Sequence, residues 1–127
     1  MSSGQGGPVQ DRTAEGDQGP AVHYLQVQTS TDSRAEAMEL ARRVVEARLA
    51  ACAQVAGPVQ STYWWEGSVE RAEEWLLLLK LPAEGFQALA DFISREHSYD
   101  EPEIVAVPIV AGSASYLSWI AEETRPR

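Results

Sequence analysis

Cysteine is almost missing from this chain: Cys52 is the only one in 127 residues, so no internal disulfide can form. A reducing compartment, the cytoplasm, is the expectation that follows. Lysine is equally scarce. Lys80 stands alone among ten basic residues, which leaves one candidate for lysine covalent chemistry or anion binding, against an ordinary strand-end charge. Histidine occurs only at positions 23 and 97. Positive charge as a whole is short, with 10 Lys and Arg against 19 Asp and Glu and a net charge of −9. Such a surface repels phosphate backbones and anionic membrane surfaces, so no nucleic acid and no membrane partner is expected, while cations are attracted. No apolar run approaches the ~20 residues of a membrane span, and the N-terminus lacks the basic start and apolar stretch of a secretory signal. A Walker loop, G-x-G-x-x-G, H-E-x-x-H and a nucleophile elbow are all absent, so an enzyme is not expected.

What is present suits one small domain. Residues 1–20 hold five Gly and two Pro with Val9 as the one sizeable aliphatic, and read as a disordered tail. The domain is expected over 21–127. Residues 22–28 alternate, with His23, Leu25 and Val27 on one face of a half-buried strand. A turn, TSTDS, follows. Ser33 and Glu36 have capping-box spacing, and 34–50 reads as an amphipathic helix with Met38, Ala41, Val45 and Leu49 on its inner side, widened by Leu40 and Val44.

Residues 52–66 form an extended segment interrupted at Gly57-Pro58. Gly67-Ser68 turns the chain, and 69–81 returns as a strand that Pro82 stops. A second helix is predicted over 83–97, with Phe86, Leu89, Ala90 and Ile93 inside. After the polar loop HSYDEPE, the run 104–110 suits a central or partly buried strand. Ser113 then caps a short helix with Tyr116, Leu117, Trp119 and Ile120. The order predicts an α+β fold, a split βαβ sandwich with two helices on one face of an antiparallel sheet. The other face must then carry Tyr63, Trp65, Trp75 or their neighbours, and self-association is the expected cover.

Two segments could carry chemistry. Glu96, His97, Asp100, Glu101 and Glu103 put one imidazole and four carboxylates within eight residues, a donor set for a divalent ion such as Cu(II) or Zn(II). The competing reading gives His97 a helix-end role, with a ring N–H on a terminal carbonyl. In YWWEG, Tyr63 and Trp65 share a strand face and Trp64 points away. With Glu66, and with Tyr99 of the neighbouring loop, they would line a small-molecule cleft or anchor a subunit interface. Cys52 has no cation near it in sequence and reads as an inert core thiol.

The segments ARLAACAQV (47–55), YWWEG (63–67), HSYDEPEI (97–104) and YLSWI (116–120) resemble the CutA1 family of divalent-cation tolerance proteins, and the resemblance runs from about residue 22 to 124. It implies a ferredoxin-like homotrimer, similar in architecture to the PII signalling proteins, that needs no cofactor and takes part in the response to divalent metal ions, copper among them. Small-molecule sensing in the manner of PII proteins, or service as a structural hub for a partner protein, are the alternatives it leaves. Where family members bind copper, the resemblance implies ligands at His97, at the preceding position and late in the first strand. Here those last two are Glu96 and Gln28, which moves the expected site to nitrogen and oxygen donors with Glu101 and Glu103.

Overall fold

The computed structural model describes residues 24–127, so the expected tail and His23 lie outside the described residues. Strand β1 (Tyr24–Thr31) leads to helix α1 (Arg34–Glu46), then to the long hairpin of β2 (Cys52–Trp65) and β3 (Ser68–Pro82). A single 3-10 turn, Ala83–Gly85, starts helix α2 (Phe86–Glu96), and β4 (Val105–Ile109) and α3 (Ala114–Glu123) complete the chain. The strands lie in the order β2-β3-β1-β4, every neighbouring pair antiparallel. This is the ferredoxin-like arrangement that the element order predicts. β4 is an edge strand, paired only with β1 among the described strands, and not a central one.

Side-chain alternation divides the sheet into two chemically different faces. Val27 of β1 and Leu77, Leu79 and Leu81 of β3 are fully buried against Leu40 and Val44 of α1 and Leu89 and Ile93 of α2. The buried stripe of α1 is therefore Ala37-Leu40-Val44, one residue off the expected Met38-Ala41-Val45 line; Met38 and Val45 are 46% and 37% exposed. β1 also runs three residues past the expected strand. Thr29, Ser30 and Thr31, read as a turn from their polarity, pair with Leu77, Leu76 and Trp75 and are buried. Trp75 continues the row of Leu77 and Leu79 and so belongs to the helix-covered face, unlike Tyr63 and Trp65.

The ends of α1 show how local chemistry sets the boundaries. Ser33 Oγ accepts the Glu36 N–H at 3.0 Å, one half of a capping box. The other half is missing because the Glu36 carboxylate turns to Ser98, accepting from its N–H at 3.0 Å and its hydroxyl at 2.9 Å. At the far end the helix stops at Glu46, four residues before the expected limit. Leu49 N–H reaches Val44 C=O and Arg48 N–H reaches Val45 C=O, with Arg48 in the left-handed region at φ 63°, a Schellman stop. The Arg48 guanidinium then donates to the Glu123 carbonyl at 2.9 Å and carboxylate at 2.8 Å, tying α1 to α3. Helix α3 packs Ile120 and Leu117 over Tyr24, Ala51 and Ile109, so it covers one end of the sheet face that α1 and α2 leave open. Ser113 stands at its N-cap position, but its side chain makes no capping bond.

Cys52 opens β2 opposite Lys80 and is half-buried, not the interior thiol expected of it. Tyr116 stands near it, its phenol pushed up by burial and by the neighbouring thiol. Lys80 donates to Gln54 across the strands at 3.0 Å, which fits the strand-end reading. The rest of the open face stays partly uncovered: Val105 and Val107 of β4 are 50% and 54% exposed.

Candidate functional site

The site is created by one extra residue in β2. Ala56 pairs with Leu76 while Val59 pairs with Glu74, so three steps on β2 match two on β3. A bulge of this kind reverses which side chains face which way, because strand periodicity is two. Before it, even-numbered residues of β2 lie on the open face; beyond it, Val59, Ser61, Tyr63 and Trp65 do, in line with Glu74. Gly57 is required there by space: a Cβ would stand 2.7 Å from Trp75 Cδ1 and 3.1 Å from the Glu74 carbonyl. At the tip, Trp65 pairs with Ser68, so the turn is Glu66-Gly67, one residue earlier than Gly67-Ser68. Both have positive φ, 49° and 85°, the pattern of a type I′ hairpin turn. Glu66 is thus exposed at the tip and does not line the cleft expected of it.

The second wall is the loop after α2, and His97 holds it. The imidazole side chain is fully buried. Its Nε2–H donates to the Ser30 carbonyl at 2.7 Å and its Nδ1 accepts the Tyr99 N–H at 2.9 Å. Those two partners define a neutral ring with its proton on Nε2. The Tyr99 ring sits 4.8 Å from the imidazole, and its hydroxyl donates to Glu74 Oε2 at 2.9 Å. Ser30 Oγ lies 3.5 Å from the same carboxylate oxygen. Burial, followed by the bond to Glu74 and that carboxylate's charge, raises the Tyr99 phenol far above the ordinary tyrosine range. Folded and unfolded chains are both neutral at Tyr99 below pH ~10. Above it the unfolded chain loses the proton first, so the Tyr99 contribution to stability falls as pH rises. Alkaline unfolding followed by circular dichroism is therefore expected to show a shallower pH slope for Tyr99→Phe than for the parent chain.

Between hairpin and loop lies a cleft of about 490 Å³. Tyr63, Trp65 and Tyr99 supply its aromatic walls and Ser30 and Ser61 its hydroxyls. Four carboxylates, Glu74, Asp100, Glu101 and Glu103, complete the lining, and among the described residues no Lys, Arg or His is part of it. Glu103 Oε2 accepts from the Gln28 amide at 3.0 Å. A second hollow of about 540 Å³ lies at the other end of the domain, by Leu81, Pro82 and Ala121, where the neighbouring Arg48 is already committed to Glu123.

The four residues expected to share a metal are not gathered at one point. Glu96 leaves the loop to pair with Arg43 at 2.6 Å, and both nitrogens of His97 are engaged. Glu101 and Glu103 do reach the cleft, together with Tyr63, Trp65 and Tyr99. Among the described residues no three His, Cys, Asp or Glu side chains stand close enough to hold one ion. Glu74 and Ser30 are lining residues that the sequence gives no reason to select; only the pairing of β3 with β1 and β2 brings them beside loop 99–103.

The sheet order, the two helices on one face and the long hairpin bordering an acidic, aromatic cleft define a ferredoxin-like α+β domain with a surface cleft rich in carboxylates. The chain belongs to the CutA1 family: residues 25–123 match the model of the CutA1 divalent ion tolerance protein. It is 41% identical over 88 residues to the divalent-cation tolerance protein CutA of Thermus thermophilus, covering 69% of this chain and 85% of that one. The chloroplastic CutA 1 of Oryza sativa is 34% identical over 104 residues, 82% of this chain but 59% of the rice protein, and the chain likewise spans 57% of the chloroplastic CutA of Arabidopsis thaliana. The solved structure of the Cut A1 protein of Thermus thermophilus superposes with a TM-score of 0.78 at 37% identity, over 80% of this chain and 99% of that one.

Proposed function

We propose that the chain works as a non-enzymatic homotrimer in the response to divalent cations, with the cleft of Glu74, Asp100, Glu101 and Glu103 attracting a hydrated ion by charge, since no three of these carboxylates stand close enough to ligate a bare one. The observation that carries this reading is the lining itself, four carboxylates and, among the described residues, no basic one. Membership of a divalent-cation tolerance family supports it. The donors are oxygens, since His97 spends both nitrogens on Ser30 and Tyr99. Oxygen donors suit Zn(II), Cu(II) or harder ions and disfavour Cu(I). In this reading His97 is a positioning residue for the loop. Three copies of the chain would cover the valines of β4 that one copy leaves half-exposed.

Calorimetric titration of the full chain with Zn(II) and Cu(II) tests the site. Saturable heat is expected, with affinity at least tenfold lower in Glu101→Gln/Glu103→Gln. Absence of heat, or equal heat from the double variant, removes the proposal.

A further inference from the structure

We infer that the same cleft takes a small organic ammonium ion, which divalent cations displace. The inference rests on the reading of this cleft as a cation site and names the cation its shape fits. A bare divalent ion needs several oxygens at about 2.0–2.6 Å. The carboxylates here are spread around a hollow of about 490 Å³, and no three of them converge on a point. That volume lies in the range of small-molecule sites, ~300–1,000 Å³.

The walls add a chemistry that a hydrated metal ion does not use. Trp65, Tyr63 and Tyr99 offer aromatic surface, and Trp65, still 55% exposed, is left uncovered by its own chain. An alkylated ammonium group is attracted both to an aromatic face and to a nearby carboxylate, and loses less hydration than a metal ion on leaving water. Glu74 is held in place for this by the Tyr99 hydroxyl, and a carboxylate fixed in advance needs no reordering when a ligand arrives. The four carboxylates repel phosphates and carboxylates, and among the described residues nothing positive lines the cleft. The ammonium and a divalent ion draw on the same four carboxylates, so binding of one opposes the other.

The probes are choline, its uncharged carbon isostere 3,3-dimethylbutan-1-ol, and zinc chloride, each titrated calorimetrically into the full chain. Choline is expected to bind at least tenfold more tightly than the isostere and to weaken in proportion to added Zn(II). Trp65→Leu keeps an apolar side chain at the exposed hairpin and is expected to lose at least tenfold in choline affinity, a larger loss than it shows for Zn(II). Choline binding no better than the isostere, or unaffected by Trp65→Leu or by Zn(II), overturns the inference. Zinc binding without choline binding leaves the proposed divalent site standing and removes the ammonium ligand. Choline binding without any zinc binding removes the divalent site and, with it, the displacement that forms part of this inference. If neither probe binds, both fall.

Discussion

His97→Ala is expected to lower the stability of the folded chain by about 3 kcal/mol, the largest effect of any single change in the loop after α2. The side chain is fully buried, so its removal leaves a void that the neighbouring Ser30, Tyr99 and Glu36 cannot readily fill. It also strands the Ser30 carbonyl and the Tyr99 N–H, which lose bonds of 2.7 and 2.9 Å. Each unsatisfied buried group costs roughly 1–3 kcal/mol, and the void adds to that. Chemical denaturation gives the stability directly. A second measurement separates a positioning role from general packing. With the loop released, Tyr99 loses its burial and its bond to Glu74, so its phenol returns toward the ordinary range in a spectrophotometric alkaline titration. A variant as stable as the parent would show that His97 does not hold the loop.

Val105→Glu combined with Val107→Glu is expected to convert the proposed trimer to a monomer. The parent chain should scatter light as three times its 13.9 kDa at micromolar concentration, and the variant as 13.9 kDa. Both valines alternate onto the open face, next to Gln28 and Gln26 of β1, and both are about half exposed in the single chain. Each assembly would bury six new carboxylates, while Lys80, in the row of Gln26 and Val107 on the same face, supplies only three positive charges among the three copies. Burying an unpaired charge costs several kcal/mol, enough at this number of copies to dissociate an interface of ordinary size. Folding should survive, since neither valine contributes to the buried core between sheet and helices. A double variant that remains a trimer would place the interface elsewhere, and a monomeric parent would remove the trimer.

The fold could be read from the sequence largely because its signals are local. The apolar period of α1, the alternation in the first strand, Pro82 after β3 and a turn at Gly67 each follow from neighbouring residues, and the element order follows from them. What depended on long-range register was displaced. The stripe of α1 moved by one residue because helical period fixes the spacing of the inward side chains, whereas packing on Leu77 and Leu79 decides which row goes inward. Thr29 to Thr31 look like a turn by composition, and only pairing with β3 gives their backbone partners that make burial affordable.

The candidate site divides along the same line. Tyr63, Trp65, Tyr99, Glu101 and Glu103 could be selected from sequence because aromatic and acidic residues cluster in two short segments. Glu74 and Ser30 sit 44 residues apart and meet only through the sheet, so composition holds no trace of them as a pair. His97 was recognisable as special but not in which sense. A lone imidazole beside carboxylates has the same sequence signature whether it binds a metal or closes a helix end; here its ring N–H goes to a β1 carbonyl, not to a terminal carbonyl of α2, and its other nitrogen accepts a loop N–H.

The bulge between Ala56 and Val59 gives the hairpin something akin to a reading frame. Every side chain beyond it owes its direction to the parity of a residue count, not to its own chemistry. Loss of one residue at Gly57 or Pro58 would alter no aromatic, yet it would rotate Tyr63 and Trp65 out of the cleft and bring Trp64, now 74% exposed, into their row. Substitutions in the hairpin are judged one at a time, whereas a single deletion at its base resets the whole strand.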